Sequence, residues 1–287
     1  VEITRAKIPL SGRFFCVAHG NDWLVRNIYG CVIVYEADSN GGYTGDVCSA
    51  VFGTATTFCK RREGISIMLG KTILFSGGKY DIAFIKQYLA DKSFDTVACA
   101  DSGLEAAHAV GVNVDYIMGD FDSVSQETLA EYRSADKAAK FVQYPKAKDY
   151  TDTQMVLEWI LSEGASEITI LGATGGRLDH FLSNLNILMK PLKQGIPAYI
   201  VDSHNRLYLI DGETTLHREQ VFGQYISLQP LSEKVYPVTL TGFQYGLKDY
   251  MLTYGDGRAI SNEFAPEAQT ATISFTHGEL IVIESRD

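Results

Sequence analysis

The sequence contains no long apolar run, and no stretch of its 287 residues approaches the roughly 18 apolar residues expected of a membrane span. Its first twenty residues also lack the sustained apolar segment of a secretory signal, so we expect a cytosolic protein. A basic excess is absent as well: the formal net charge is −10, which argues against a broad nucleic-acid-binding surface. The hydrophobic content of 46% is ample for a packed core, and the length fits one or two domains.

Cysteine is scarce after residue 60, where Cys99 stands alone, and four cysteines precede that point: Cys16, Cys31, Cys48 and Cys59. Their spacings contain no C-x-x-C pair, and His19 is the nearest histidine, so we predict no zinc site among them.

Methionine is absent from residues 1–67, and the first one in the chain is Met68. This segment is rich in cysteine, glycine and aromatic residues and shows no strand–helix rhythm, whereas a regular pattern begins directly after it. One hypothesis is that residues 1–67 are translated upstream sequence and that the working protein starts at Met68. The alternative is a small, weakly patterned extension, and we assign no function to either.

From residue 68 to 203, apolar segments alternate between strand and helix patterns. The strands are predicted at 71–75, 96–100, 114–118, 167–171 and 197–201, and the helices at 80–91, 125–135, 152–162 and 177–194. A capping box of Ser102 and Glu105 predicts one further short helix. This order is typical of a parallel, Rossmann-like α/β domain, in which ligands bind beyond the carboxyl ends of the strands.

Residues 204–287 have a different pattern, with short β-branched and aromatic segments separated by glycine, aspartate and asparagine turns. No helical period of comparable length appears there. We therefore predict an all-β sandwich for this second domain, with the boundary in D-S-H-N at residues 202–205.

Acidic residues follow two neighbouring predicted strands. Asp101 comes after strand 96–100, and Asp120 and Asp122 of G-D-F-D-S come after strand 114–118. Paired carboxylates suit Mg²⁺, which prefers a few carboxylates together with waters and substrate phosphates. The competing interpretation is an ordinary turn with an aspartate cap for the next helix, which is the commoner role of an isolated D-x-D.

A second polar cluster, K-A-K-D-Y-T-D-T-Q, occupies residues 146–154. Thr151 and Gln154 match a capping box, so helix initiation explains part of it. Capping does not explain Asp149 beside Asp152, preceded by Lys146 and Lys148, a combination that fits a phosphate brought to a metal.

A third cluster, G-A-T-G-G-R-L-D-H, lies at residues 172–180 between a strand and an apolar helix. Glycines in such a loop free backbone N–H groups to face an anion at the helix N-terminus. Arg177 adds a planar guanidinium suited to phosphate oxygens, whereas Asp179 and His180 also have ordinary surface roles in a first helical turn. The three clusters together favour metal-assisted phosphoryl transfer.

The motifs G-D-F-D-S, K-D-Y-T-D-T-Q and G-G-R-L-D-H, in this order, resemble the thiamine pyrophosphokinase family over roughly residues 70–285. The resemblance implies an α/β domain followed by an all-β domain. It also implies Mg²⁺-dependent transfer of pyrophosphate from ATP to thiamine, giving thiamine diphosphate and AMP. A homodimer with each active site between subunits is implied as well.

The resemblance assigns a role to each matching residue. It implies that the metal ligands are Asp120, Asp122 and Asp152, and that the catalytic residues are Asp101, Asp179 and Arg177. The residues implied to bind the ATP phosphates are Lys148, Thr174, Gly176 and Arg177. The residues implied to contact thiamine are Ser261 and Asn262 of I-S-N-E-F. Either Asp101 or Asp179 is expected to accept the hydroxyl proton. We also expect an aromatic side chain of the β domain, Phe264, to stack on the cationic thiazolium.

Two other functions compete with this one. A Mg²⁺-dependent phosphohydrolase would use Asp120 as a nucleophile, and a non-catalytic thiamine- or nucleotide-binding regulator would bind without forming AMP. The intact set of acidic residues makes the regulator the weaker alternative.

Overall fold

The computed structural model describes residues 69–134, 139–143 and 150–287 in full, and between residues 14 and 59 it describes the backbone of five strands. Residues 1–66 form one compact unit and residues 67–287 another. The first unit contains one antiparallel sheet in sequential order, with strands β1 (Phe14–Ala18), β2 (Asn21–Ile28), β3 (Cys31–Ala37), β4 (Tyr43–Phe52) and β5 (Ala55–Cys59). The sequence of this unit shows no strand–helix rhythm, and the side chains of the four N-terminal cysteines lie outside the described residues.

The second unit begins with alternating strands and helices. Its strands are β6 (Gly70–Phe75), β7 (Thr96–Ala100), β8 (Tyr116–Gly119), β9 (Lys140–Gln143), β10 (Ala165–Leu171) and β11 (Ala198–Val201). Its helices are α1 (Ile82–Ala90), α2 (Gly103–Val110), α3 (Gln126–Arg133), α4 (Asp152–Ser162), α5 (Leu178–Ile187) and α6 (Met189–Leu192). All predicted elements are present, and the structure adds β9 and divides the last predicted helix into α5 and α6.

These six strands pair in parallel in the order β11-β10-β6-β7-β8-β9. Alternate residues along β6 enter two different cores, because successive strand side chains point to opposite faces. Ile73 and Phe75 pack with α1, α2 and α3, whereas Leu74 packs with α4 and α5. Helices on both faces leave the carboxyl edge of the strands as the open side, which is where the polar loops lie.

The C-terminal region adds β12 (Asn205–Ile210), β13 (Thr214–His217), β14 (Tyr225–Pro230), β15 (Lys234–Thr241), β16 (Leu247–Thr253), β17 (Thr270–Ser274) and β18 (Leu280–Ser285). Strands β12, β18 and β14 extend the parallel sheet by antiparallel pairing, so the complete nine-stranded sheet is mixed. The other four strands form an all-antiparallel sheet in the order β13-β17-β15-β16. A separate hydrophobic core fills the space between this sheet and β12, β14 and β18.

One predicted helix start is wrong in its details. Ser102 precedes α2, but its side chain makes no capping bond. Glu105 instead accepts hydrogen bonds from the Ser125 backbone N–H at 2.7 Å and from the Thr128 hydroxyl at 2.8 Å, at the beginning of α3. The capping-box pattern therefore has a tertiary role, because Glu105 connects two neighbouring helices. No helix among the described residues has the length and apolarity needed to cross a membrane.

Candidate active site

A cleft of about 520 Å³ opens at the carboxyl edge of the parallel strands. Loops that follow β6, β7, β8 and β10 form its walls together with the first turns of α4 and α5. The sequence motifs converge here, because parallel strands present their carboxyl ends on one side of the sheet. Among the predicted site residues, the cleft is lined by Asp101, Asp120, Asp122, Asp152, Gly176 and Arg177.

Asp101, Asp120 and Asp122 form the acid cluster of the cleft. Each offers one carboxylate oxygen, and these oxygens lie within 4.8 Å of one another. Adjacent strands β7 and β8 produce this grouping, since Asp101 directly follows one and Asp120 directly follows the other. Like charges this close repel each other unless a cation or a proton lies between them. The arrangement is thus suited to a divalent cation.

The backbone around the acid cluster adopts unusual conformations. Asp101 and Phe121 have φ angles of 46° and 62°, in the left-handed region that side chains other than glycine rarely adopt. At Gly119, a Cβ atom would lie 3.1 Å from the Asp101 Cα, so β8 approaches Asp101 closely because residue 119 has no side chain. Strain of this kind is concentrated at functional sites, where the surrounding structure holds it in place.

The hydrogen-bonding capacity of the Asp101 carboxylate is only partly satisfied. Burial raises the pKa of its carboxyl group, and the nearby charges of Asp152 and Asp120 act in the same direction, while hydrogen bonds from Ser123 and Ser102 oppose them. Its Oδ1 atom is buried and has no hydrogen-bond partner among the described residues. A buried, unpaired carboxylate oxygen is costly, and a bound cation would remove that cost.

The competing interpretation of the D-x-D pair as a helix cap does not fit the geometry. Helix α3 is capped by Ser125, whose hydroxyl accepts a hydrogen bond from the Thr128 N–H at 3.1 Å. Within the pair, Asp120 Oδ1 accepts from the Asp122 N–H at 3.2 Å, so one oxygen of Asp120 also supports the local turn. The capping role is therefore filled by another residue.

Asp152 lies at the first position of α4 and lines the same cleft, but it is not one of the three acids that group within 4.8 Å. The predicted cap of this helix is confirmed, since the Thr151 hydroxyl accepts from the Gln154 N–H at 3.2 Å. Lys146, Lys148 and Asp149 belong to residues 144–149, which lie outside the described residues.

The glycine loop, residues 172–177, runs from β10 to α5 along the cleft. Gly175 and Gly176 have φ angles of 77° and 87°, which favour glycine, and a Cβ atom on Gly176 would meet nothing within 4 Å. Thr174 does not line the cleft; its hydroxyl donates a hydrogen bond to Asp202 Oδ2 at 2.8 Å instead. The loop thus leaves the backbone of Gly176 unobstructed, whereas the side chain of Thr174 is held by its hydrogen bond to Asp202.

Arg177 and Asp179 form a two-bond ion pair at the mouth of the cleft. The distances are 3.1 Å from Nε to Oδ1 and 2.5 Å from Nη2 to Oδ2, and both side chains are exposed. The Arg177 guanidinium lowers the pKa of the Asp179 carboxyl from 3.8 to about 2. His180 lines the cleft as an exposed residue.

The residues expected to contact thiamine lie in the C-terminal region. Ser261 is exposed and has a φ of 52°, whereas Asn262 is buried. The Asn262 side chain accepts from the Tyr245 N–H at 3.0 Å and donates to the Tyr245 carbonyl at 2.8 Å, so it connects two loops. Phe264 is also buried; its ring packs near Phe243 and beneath the Arg218 guanidinium, 5.0 Å from the ring centroid.

Sequence reasoning missed Lys79, which lines the cleft from the loop after β6. S-G-G at residues 76–78 precedes this lysine and belongs to none of the three predicted clusters. The available signal was the one that identified the third cluster, namely glycines directly after a buried strand. In the structure this loop packs against the glycine loop, where the Gly78 N–H donates to the Gly172 carbonyl at 2.8 Å.

Fold and cleft together define a class of protein: an α/β layer with three clustered carboxylates, a glycine loop and an exposed arginine at one sheet edge, joined to an antiparallel β region. Carboxylates facing phosphate-type donors are typical of sites for metal-bound polyphosphates. Comparison with known proteins then identifies the family within this class.

Residues 86–200 match the family model described as thiamin pyrophosphokinase, catalytic domain, and residues 213–280 match thiamin pyrophosphokinase, vitamin B1 binding domain. The thiamine pyrophosphokinase of Bacillus subtilis is 37% identical over 194 residues, covering 67% of this chain and 84% of that protein. The Bacillus subtilis crystal structure aligns with a TM-score of 0.66 and 32% identity, over 76% of this chain and 99% of that one. The corresponding Geobacillus thermodenitrificans structure gives 0.65 and 31%, over 76% and 98%.

This chain belongs to the thiamine pyrophosphokinase family. The resemblance inferred from the three motifs is therefore confirmed.

Proposed function

We propose that this chain transfers pyrophosphate from ATP to the hydroxyl group of thiamine, giving thiamine diphosphate and AMP. Membership of the family supports the reaction. The observation that carries the proposal is the acid cluster, where three carboxylate oxygens lie within 4.8 Å of one another beside the glycine loop. Little covalent chemistry falls to the protein in such a transfer, and catalysis depends on positioning and on neutralising charge.

The donor set fits a Mg²⁺ ion. Asp101, Asp120 and Asp122 supply hard carboxylate oxygens, and the buried, unpartnered Oδ1 of Asp101 is accounted for if it faces a cation. Asp152, the third predicted ligand, lines the same cleft and acts on this site through its charge. When bound, the ion would neutralise phosphate charge and lower the barrier to attack by the alcohol. Our proposal thus adds Asp101 to the predicted ligands Asp120, Asp122 and Asp152.

Around this site, the chain's own residues hold the polyphosphate. Arg177 lies at the mouth of the cleft, where its guanidinium reaches phosphate oxygens if it leaves Asp179. Gly176 presents open backbone beside it. Lys148 stays a predicted phosphate ligand, and Thr174 a weaker one because its hydroxyl is bonded to Asp202.

Neither of the two candidates for proton acceptance is well suited as the base. A carboxylate whose pKa is about 2 is a poor base near neutral pH, and Asp179 is paired with Arg177. Asp101 lies inside the acid cluster, and its buried, unpartnered Oδ1 is the oxygen that we assign to the cation. We therefore assign the positioning of Arg177 to Asp179, whereas Asp101 serves as a ligand of the cation and not as the base.

We further propose a homodimer in which the β region of one chain completes the thiamine site of the other. Helix α5 supports this assembly, because Leu178 and Leu182 are 75% and 54% exposed at i, i+4 spacing directly beside Arg177. Adjacent exposed apolar side chains of this kind offer a surface that another chain could cover. Ser261 stays the predicted thiamine contact, whereas Asn262 acts through the loop it holds. The cytosol stays the compartment that the sequence predicts.

The direct test incubates the chain with ATP, Mg²⁺ and thiamine and measures both AMP and thiamine diphosphate. We expect equal amounts of the two products, and no AMP when thiamine is omitted. AMP or inorganic phosphate released without thiamine would favour a phosphohydrolase, and binding without product would favour a regulator. A second chain starting at Met68 should give the same products if residues 1–67 are dispensable.

A further inference from the structure

Two hydroxyl groups, those of Ser76 and Thr153, meet beside the acid cleft, and we call them the hydroxyl pair. Ser76 directly follows β6, and Thr153 is the second residue of α4. Their side-chain oxygens are 2.6 Å apart, although 77 positions separate them in the chain. The two residues are only 3% and 7% exposed, so the bond forms almost out of contact with solvent. Both border the cleft next to Asp152.

Ser76 is itself held in place by three other elements of the fold. Its backbone N–H donates to the Leu171 carbonyl at 2.9 Å, at the end of β10. Its carbonyl accepts a hydrogen bond from the Tyr80 hydroxyl. At Gly103, the first residue of α2, a Cβ atom would lie 2.8 Å from the same carbonyl oxygen, so α2 begins this close because residue 103 has no side chain. A side chain that bonds to Ser76 is therefore fixed relative to the end of the sheet.

Thr153 passes this fixed position to the first turn of α4. Asp152 and Thr153 are the first two residues of the helix, and further along it Val156, Leu157 and Ile160 pack in the core. Apolar packing is non-directional, whereas a hydrogen bond requires a defined distance and angle. The bond from Thr153 to Ser76 thus sets where the beginning of α4 lies, in a way that the apolar side chains alone do not.

The placement of this turn matters because of Asp152. Asp152 lines the same cleft as the acid cluster but is not one of the acids that group within 4.8 Å, so small movements of α4 decide how near it comes to a bound cation. Functional groups of this kind must be held to within about 0.5 Å. Stability alone does not require the hydroxyl pair, since two apolar side chains of the same shape would serve nearly as well.

From these observations we propose that Ser76 and Thr153 are positioning residues, which hold Asp152 at the acid cluster for the divalent cation. The inference rests on the proposed function for the role of that cation. It extends the site to two side chains that act through Asp152 and not by contact with the substrates.

Removal of one hydroxyl tests the positioning role. Thr153→Val deletes the hydroxyl with little change of shape, and the full-length chain is assayed for Mn²⁺ binding by electron paramagnetic resonance and for thiamine diphosphate formation. We expect Thr153→Val to weaken Mn²⁺ binding roughly fivefold and to lower kcat roughly tenfold, because Asp152 is no longer held in place. The KM for thiamine should stay within about twofold. Thr153→Ser keeps the hydroxyl and should restore most of both losses.

A double-mutant cycle with Asp152→Asn shows whether the hydroxyl acts through this aspartate. In the Asp152→Asn background, Thr153→Val should change Mn²⁺ affinity by less than about twofold, whereas losses that add would overturn the inference. Thr96→Val is the matched control, since Thr96 is 6% exposed and its hydroxyl donates to the Leu69 carbonyl at 2.8 Å, at the amino end of β7. This variant should be less stable but bind Mn²⁺ with unchanged affinity.

Deleting both hydroxyls separates positioning from stability. Ser76→Ala combined with Thr153→Val leaves neither hydroxyl without its partner, so the urea midpoint should recover most of the loss seen in Thr153→Val, while Mn²⁺ affinity stays low. Mn²⁺ affinity that recovers together with the midpoint, or that never changes, would refute the inference and leave the proposed function standing. Conversely, a chain with the expected Mn²⁺ affinities that makes no thiamine diphosphate would refute the function and keep the positioning role.

Discussion

The acid cluster and the Ser261–Asn262 turn were both predicted to belong to the functional site, yet they differ in how their polar atoms are used. Asp101 has a buried oxygen without a partner among the described residues, on a strained backbone. Asn262 is also buried, but its side-chain oxygen and nitrogen both bond to the backbone of Tyr245. One polar group lacks a partner that a ligand could supply, and the other is satisfied within the fold.

This difference shows what separates a binding residue from a structural one when both are polar and buried. An asparagine whose side chain is fully hydrogen-bonded within the fold stabilises the loops it connects, whether or not a ligand is present. A buried carboxylate oxygen without a partner makes the ligand-free protein less stable. A ligand that supplies this partner restores the lost stability. The predictions below test this distinction, beginning with the largest expected effect.

Asp120→Asn should reduce turnover at least about 100-fold, because a neutral amide is a poor ligand for Mg²⁺. The interactions of the metal ion would stabilise the transition state by several kcal/mol. The folded state should be unaffected, since the substitution keeps the size and the local turn bond of Asp120. Product formation and thermal unfolding of the same preparations provide the measurement. Asp211→Asn, an exposed acid outside the cleft, is the matched control. Near-normal turnover would refute the metal assignment.

Asn262→Ala should lower the free energy of unfolding by roughly 2 kcal/mol, because the substitution leaves the N–H and carbonyl of Tyr245 without their partners. Urea denaturation measures this directly. If Asn262 is structural, kcat per folded molecule should stay close to that of the unsubstituted chain.

Ser261→Gly is the matched neighbour for that experiment. Glycine tolerates the φ of 52° at this position, so stability should be unchanged or slightly higher. A raised KM for thiamine in Ser261→Gly would support its predicted contact with thiamine. The comparison breaks if Asn262→Ala keeps its stability and instead loses affinity for thiamine.

The smallest expected effect concerns the exposed Arg177–Asp179 pair. Arg177→Ala should return the pKa of Asp179 from about 2 toward 3.8, measurable by NMR titration of the carboxyl group. Because the folded-state pKa is below the unfolded one, the pair's contribution to stability is present above about pH 4. It is lost as the pH falls through about 2. An unchanged Asp179 pKa in Arg177→Ala would show that Arg177 is not the cause.

Much of the site's location could be predicted from sequence, because strand–helix alternation fixes which loops share an edge of a parallel sheet. Asp101, Asp120 and Asp122 lie at one edge of the sheet for this reason. The grouping of Asp101 with the D-x-D pair, ahead of Asp152, depends on backbone strain near Gly119 that no residue pattern encodes.

Other features were inaccessible because they depend on tertiary partners. Glu105 matched a capping box but bonds to the start of α3, since Ser125 and Thr128 lie within its reach in the fold. Strand β9 was missed because its four residues have no fully buried side chain and therefore no strong apolar signal. The antiparallel continuation of the sheet was missed for a related reason, as β12, β14 and β18 showed only the pattern of a separate β domain.

That continuation has a mechanical consequence. The segment between β11 and β12 is a tight reversal in which Ile200 pairs with Leu207 and Val201 with Arg206. A hinge there would have to break these backbone bonds before the two regions of a single chain could rotate apart. The catalytic and β regions of one chain should accordingly move as one rigid body. Any closing over substrates must then come from loops or from the approach of a second chain.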